Sequence, residues 1–250
     1  MPCQHAPIRP GLLLLAISLL GWSLLGRAHA HEPPNDSEPQ LPELTSPAWK
    51  PFTFGNIEKH TVYSVVAEDP GWLRAESDCA ASARMIPLAN VDLAKTPVLH
   101  WRWRVDRALA IRAERTKPGD DFAARVYVMF RFEPDKASFL QRLRHRVGSA
   151  AYDVEAPGTA LSLVWSSREP EGAHWKSPYG DESAMLVVAG GTKRETGTWY
   201  RESLNIASAY RASFATDPPP LLALAVMTDA DNSCGKATAG FADFHFSADS

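Results

Sequence analysis

The sequence predicts an all-β fold, an antiparallel β-sandwich of jelly-roll appearance with one or two short peripheral helices. Three observations carry the prediction. Residues 98–105 and 122–132 alternate apolar and polar side chains with period 2, as strands buried on one face do. Short β-branched and aromatic runs recur at intervals of ~8–12 residues with turn residues between them. One stretch alone, 135–148, reads as a confident helix, so alternating βαβ units are not the pattern.

The N-terminus reads as a targeting segment. Arg9 supplies a positive region, residues 12–25 an apolar core, and Ala28-His29-Ala30 a small-residue cleavage site. The apolar run is short of the ~20 residues a membrane span needs. A signal peptide over residues 1–30 is therefore expected, with an uncleaved anchor as the alternative. Cleavage leaves 220 residues and moves the net charge from −3 to −5, because Arg9 and Arg27 depart with no acid. The mature chain is expected to be periplasmic or secreted, with no membrane span. Cys3 leaves with the leader. Cys79 and Cys234 remain, an even count in an oxidising compartment, and a disulfide between them is favoured over two buried thiols.

Residues 31–48 hold Pro33, Pro34, Pro39, Pro42 and Pro47 and read as an extended linker. A single domain is expected over residues 49–250. Strands are expected at 61–66, 72–76 and 83–88, with a turn at Asp69-Pro70-Gly71. In 98–105, Leu99, Trp101, Trp103 and Val105 share one face and His100, Arg102 and Arg104 the other. The tryptophans read as core, with a sugar-stacking platform as the alternative, because all the charge lies opposite. The central stretch is 117–132, KPGDDFAARVYVMFRF: a turn at Pro118-Gly119, the pair Asp120 and Asp121, then a long strand. Asp135 can cap the helix at 135–148, whose Arg142, Arg144, His145 and Arg146 read as a solvated face. Further strands are expected at 161–166, 185–189 and 198–206, the last passing into a short helix near 207–214. Residues 167–181 read as a long polar loop. LLALAVM at 221–227 suits a strand buried on both faces, and 240–246 closes the domain.

Known catalytic signatures are absent: no G-x-S-x-G, H-E-x-x-H, phosphate-binding loop or G-x-G-x-x-G occurs. The histidines show no ligand spacing, and no basic cluster suits nucleic acid. Asp120 and Asp121, as strand neighbours, would point to opposite faces and could flank one bond together only across a sharp bend. Asp229, Asp231 and Asn232 resemble the start of a calcium loop, but Cys234 and Gly240 stand where that loop needs Gly and Glu. An Asx-rich turn is favoured; an irregular calcium site stays open.

Taken together, Trp101-x-Trp103, the K-P-G-D-D-F-A-A-R-V-Y-V run from Lys117, Trp165, Trp199 with Arg201-Glu202 and Asn205, and the M-T-D-x-D-N turn at 227–232 resemble the bacterial domain-of-unknown-function family 3047. The resemblance covers residues 49–246. Leu204 and Ser233 depart from its usual Arg and Thr. The arrangement is also similar to galactose-binding-type jelly rolls, a likeness of fold alone.

The expected function is non-catalytic ligand binding, of a glycan or another cell-envelope component, with no nucleic acid as partner. The expected site is Asp120, Asp121, Arg125, Arg201, Glu202, Asp229, Asp231 and Asn232. Arg125 would clamp a carboxylate or orient an acid. No cofactor is expected, calcium excepted as above. The rivals are a cell-envelope hydrolase using carboxylates of the Asp120/Asp121 and Asp229/Asp231 turns, and a purely structural module.

Overall fold

The computed structural model describes residues 41–248, apart from 69, 138–141, 143, 144, 147, 148, 150–154 and 180–182. The expected leader lies outside these residues. Two sheets pack face to face. One has seven strands in the order β1 (Lys50–Phe52), β4 (Ala83–Pro87), β11 (Leu221–Met227), β6 (Arg125–Phe130), β7 (Thr159–Ser166), β9 (Ala184–Gly191) and β8 (His174–Lys176). The other has five, in the order β10 (Tyr200–Asn205), β5 (Val98–Arg107), β12 (Lys236–Ser247), β3 (Trp72–Asp78) and β2 (Val62–Val66). The ladders are antiparallel except β7–β9, which is parallel. Among the described residues no helix is long and apolar enough to cross a membrane.

Alternation sets the core, as expected. From β5, Leu99, Trp101, Trp103 and Val105 turn inward and are fully buried, as do Phe241 and Phe246 of β12. They meet Val126, Val128 and Phe130 of β6, Leu161, Leu163 and Trp165 of β7, and Leu224 and Val226 of β11. Removing such a side chain from water contributes ~1.5–3 kcal/mol each. The Trp101–Trp103 stripe is core and not a sugar platform. β11 is buried along almost its whole length, between the partner sheet and a smaller outer cluster holding Ala83, Ala225 and Met227.

The helix α1 (Ile206–Phe214) follows β10 directly. Asn205 caps it by accepting from the Ser208 amide at 2.8 Å, and Ala215 ends it in the left-handed region. Tyr210 packs on Phe130, with ring centroids 4.5 Å apart. Of the expected helix at 135–148, residues 135–137 form a turn and bend instead, Arg142, His145 and Arg146 are helical, as is Ser149 just beyond it, and 138–141, 143, 144, 147 and 148 lie outside the described residues.

Four expectations are corrected. The central strand is shorter than its alternation suggests. Lys117–Gly119 form one 3-10 turn, residues 120–124 are irregular, and β6 begins only at Arg125. Phe122 therefore joins Trp175 and Val164 in an outer cluster instead of the core stripe. Apolar alternation cannot separate a strand from an irregular run that buries the same residues. The polar loop at 167–181 contains β8, which pairs with β9 and buries Trp175. β1 was not foreseen, because Pro51 masks it; Pro is tolerated on this edge strand. Finally, residues 41–48 are not a free linker: Leu44 is buried in the core, and the Trp49 indole donates to the Pro42 carbonyl at 3.0 Å.

Candidate functional site

Three segments meet at one end of the seven-stranded sheet: residues 120–124, the first residue of β6, and the turn after β11. The register of β6 against β11 sets Arg125 opposite Met227, so the following turn falls beside the irregular run. The Asp229 amide donates to the Phe122 carbonyl at 3.2 Å, and the Phe122 amide donates back to Asp229 Oδ1 at 3.3 Å. Thr228 Oγ1 donates to the Ala123 carbonyl at 2.9 Å. The turn is also tied to the residues that follow β3: Cys79 and Cys234 form a disulfide, and the Ala230 amide donates to the Ala80 carbonyl at 3.0 Å.

Arg125 lies at the centre and is 3 % exposed. Its Nη2 is 3.0 Å from Asp229 Oδ2 and 3.3 Å from Asp120 Oδ1, and it also donates to the Asp120 carbonyl at 2.9 Å. Its Nη1 donates to the Tyr127 hydroxyl at 2.7 Å, and the guanidinium lies 4.5 Å from the centre of the Phe122 ring. Asp121, wholly buried, points elsewhere: Oδ1 accepts from the Asn232 amide at 3.1 Å and Oδ2 from the Ser233 amide at 2.6 Å. Asp120 and Asp121 thus diverge, because the turn before the strand turns them to different partners. At the rim, Asn232 Nδ2 donates to the Lys117 carbonyl at 2.8 Å and to the Tyr179 hydroxyl.

Four carboxylates and one guanidinium share this end. Burial holds Asp229 well above the usual carboxylate range; Arg125 opposes that shift, and Asp120, Asp121 and Asp231 add to it. Burial also raises Asp120 and half-buried Asp231, the latter helped by Asp121. Burial acts against the Arg125 charge, but Asp120, Asp229 and Tyr127 more than offset it and keep the group charged. Burial pushes Tyr127 up to about 12.

Asp121, Asp229 and Asp231 each place a carboxylate oxygen within 4.8 Å of the others, a grouping able to hold a cation. The oxygens of Asp121 and Asp229 are already taken by three backbone amides and Arg125. A cation would have to displace those bonds.

Arg201 and Glu202, expected in the same site, are not there. They lie on β10 in the other sheet, opposite Arg102 and Trp101 of β5. Glu202 turns inward: it accepts from the Trp103 indole at 2.9 Å and pairs with Arg194, which also reaches Glu171 at 2.7 Å. Arg201 turns outward, onto a face that sequence reasoning left aside. Trp72 lies there edge-to-face with Trp199 at 5.5 Å, and Arg102 and Arg104 stand over the Trp199 ring at 5.0 and 5.6 Å. Alternation had placed Arg102 and Arg104 outward, but nothing local says that Trp72 and Trp199 meet them. Lys117 and Tyr179 were likewise missed, since their partner Asn232 is distant in sequence; Tyr127 and Arg194 were missed although Arg125 and Glu202 are near, because only the folded geometry aims the side chains at each other.

No curated protein sequence matches the chain. Among solved structures it is similar to the family 30 carbohydrate-binding module of cellulosomal cellulase Cel9D-Cel44B of Clostridium thermocellum. Identity is 10 % and the TM-score 0.39, over 79 % of this chain and 89 % of that one. It is also similar to the xyloglucanase domain of NopAA, a type three effector from Sinorhizobium fredii, solved in complex with cellobiose. There identity is 6 % and the TM-score 0.41, over 81 % and 98 %. The model of a protein family of unknown function, DUF3047, matches residues 47–245, and the chain belongs to that family.

Proposed function

We propose that this is an exported, non-catalytic module that binds a saccharide. One observation carries the reading: on the outward face of the five-stranded sheet Trp199 stays half-buried, held edge-to-face against Trp72, which is itself buried. An indole offers a flat apolar surface and a polar edge, which suits the C–H face of a sugar ring. The disulfide fits an oxidising compartment.

In this reading the acidic end is a clasp. Asp120, Asp121, Arg125 and Asp229 lock the turn after β11 to the run before β6, and Asp231 and Asn232 form its rim. The hydrolase rival needs a carboxylate that substrate can reach. Asp121 and Asp229 are at most 2 % exposed and already bonded, which favours the clasp. Glu202 orients Trp103, and of the expected site residues Arg201 alone stands at the ligand surface.

Affinity electrophoresis of the full chain against a panel of soluble polysaccharides tests this. Retardation by at least one member, lost in Trp199→Ala while the chain stays folded, is the expected result. No retardation by any, or release of reducing ends that disappears in Asp229→Asn, would overturn it.

A further inference from the structure

Resting on the saccharide-binding reading, we propose that the outward face of the five-stranded sheet takes an acidic glycan, one whose sugar rings carry carboxylates. Trp199 takes a ring face, and Arg201 with Arg102 takes the carboxylate.

The face is built around a low floor. β12 runs between β5 and β3, and its outward positions Gly240 and Ala242 carry little or no side chain. The indole of Trp72 lies across Gly240. A Cβ there would come within 2.9 Å of the ring and 3.1 Å of Arg104 Cγ, so the position excludes any larger residue unless Trp72 moves. Trp199 stands against Trp72 edge-to-face. Trp72 is thus fixed by the sheet, and Trp199, just before β10, packs on it.

Charge then selects the ligand. The register sets Arg201 directly opposite Arg102, with Arg104 two residues along the same face. Like charges facing each other across a ladder destabilise it. Arg102 is paired with Asp243 and Arg104 with Asp106. Arg201 is exposed and has no carboxylate partner among the described residues. An anion lying between Arg201 and Arg102 relieves the repulsion, and the planar guanidinium matches a carboxylate in two-point contact. With Arg102 and Arg104 each held by an acid, Arg201 is the uncompensated cation of the strip, on a chain of net charge −3. A sugar ring on Trp199 brings its substituents over the two arginines, because the Arg102 guanidinium already lies against that indole.

The test is affinity electrophoresis of the full chain in gels containing polygalacturonate or dextran, at low and high salt. The expected result is retardation by polygalacturonate and not by dextran, weakening with salt. Arg201→Ala should lose about tenfold or more in affinity, as removal of a charge-assisted hydrogen bond does. Arg201→Glu should abolish binding, and Arg201→Lys should keep part of it. The side chain is exposed, so Arg201→Lys should melt as the parent does, and Arg201→Ala and Arg201→Glu at or slightly above it, since both remove the like-charge pair with Arg102. Undiminished polygalacturonate binding by Arg201→Glu would overturn the inference. Equal retardation by dextran, lost in Trp199→Ala alone, would overturn the acidic preference and leave the saccharide reading standing. Failure with both polymers and with the wider panel would remove both readings. Binding to vesicles of anionic phospholipid, without binding to polygalacturonate, would reassign the face to a membrane surface.

Discussion

Replacing Arg125 with alanine should destabilise the protein by about 3–5 kcal/mol, the cost of leaving a buried carboxylate without its partner. The geometry supports the upper part of that range. Asp229 loses the one cation 3.0 Å from its Oδ2 while Asp120, Asp121 and Asp231 remain close. Tyr127 also loses its hydrogen bond, worth ~1 kcal/mol. Urea unfolding at neutral pH reads the loss as a fall in midpoint at constant slope. Arg125→Lys should recover part, because one ammonium cannot span Asp120, Asp229 and Tyr127 together. Arg125→Met with Asp229→Asn should be more stable than Arg125→Ala, since it removes both charges. The pH dependence follows from the same geometry. Asp229 holds its proton more tightly folded than unfolded, so its contribution to stability is greatest below the unfolded carboxylate range. That contribution is lost as pH rises through the raised folded value. Without Arg125 that value rises further, so Arg125→Ala should lose less stability in mild acid than in mild alkali. A midpoint within ~0.5 kcal/mol of the parent, or a greater loss in acid, would refute the clasp.

Three further outcomes are expected. Labelling under denaturing, non-reducing conditions should find no free thiol at Cys79 or Cys234; opening a bridge between residues 155 apart should cost about 5 kcal/mol in the chain-entropy model, read from the melting curve with and without reductant. Millimolar calcium should leave the melting temperature unchanged, because the clasp oxygens are already engaged; a rise lost in Asp231→Asn would show a native-state metal, worth ~2.7 kcal/mol at a hundredfold excess over Kd. N-terminal sequencing of periplasmic protein should begin at His31, and an intact Met1 on membrane-bound protein would contradict the leader.

Much of this protein is legible along the chain. Strand side chains alternate with period 2, so Leu99, Trp101, Trp103 and Val105 had to share a face, and Val126, Val128 and Phe130 likewise. Opposing apolar faces without connecting helices leave a sandwich as the economical burial. The pairing of Cys79 with Cys234 followed from their count once the leader was set aside. Alternation failed at Phe122, because burial in an irregular run gives the same pattern as burial in a strand.

The clasp and the outward face belong to tertiary structure. Asp229 and Arg125 are far apart in sequence, and only the β6–β11 register brings them within 3.0 Å. Sequence reasoning grouped Arg201 with the acids as polar residues near strand ends. The strand order puts it in the other sheet instead. Trp72 is followed by Leu73, so the sequence cannot tell which of them faces the core. The answer depends on Gly240, which leaves room for an indole, and on β12 lying between β3 and β5. Period fixes which residues of one strand share a face. Strand order and register decide which faces meet, and those are set by burial summed over the whole molecule, which no single stretch contains.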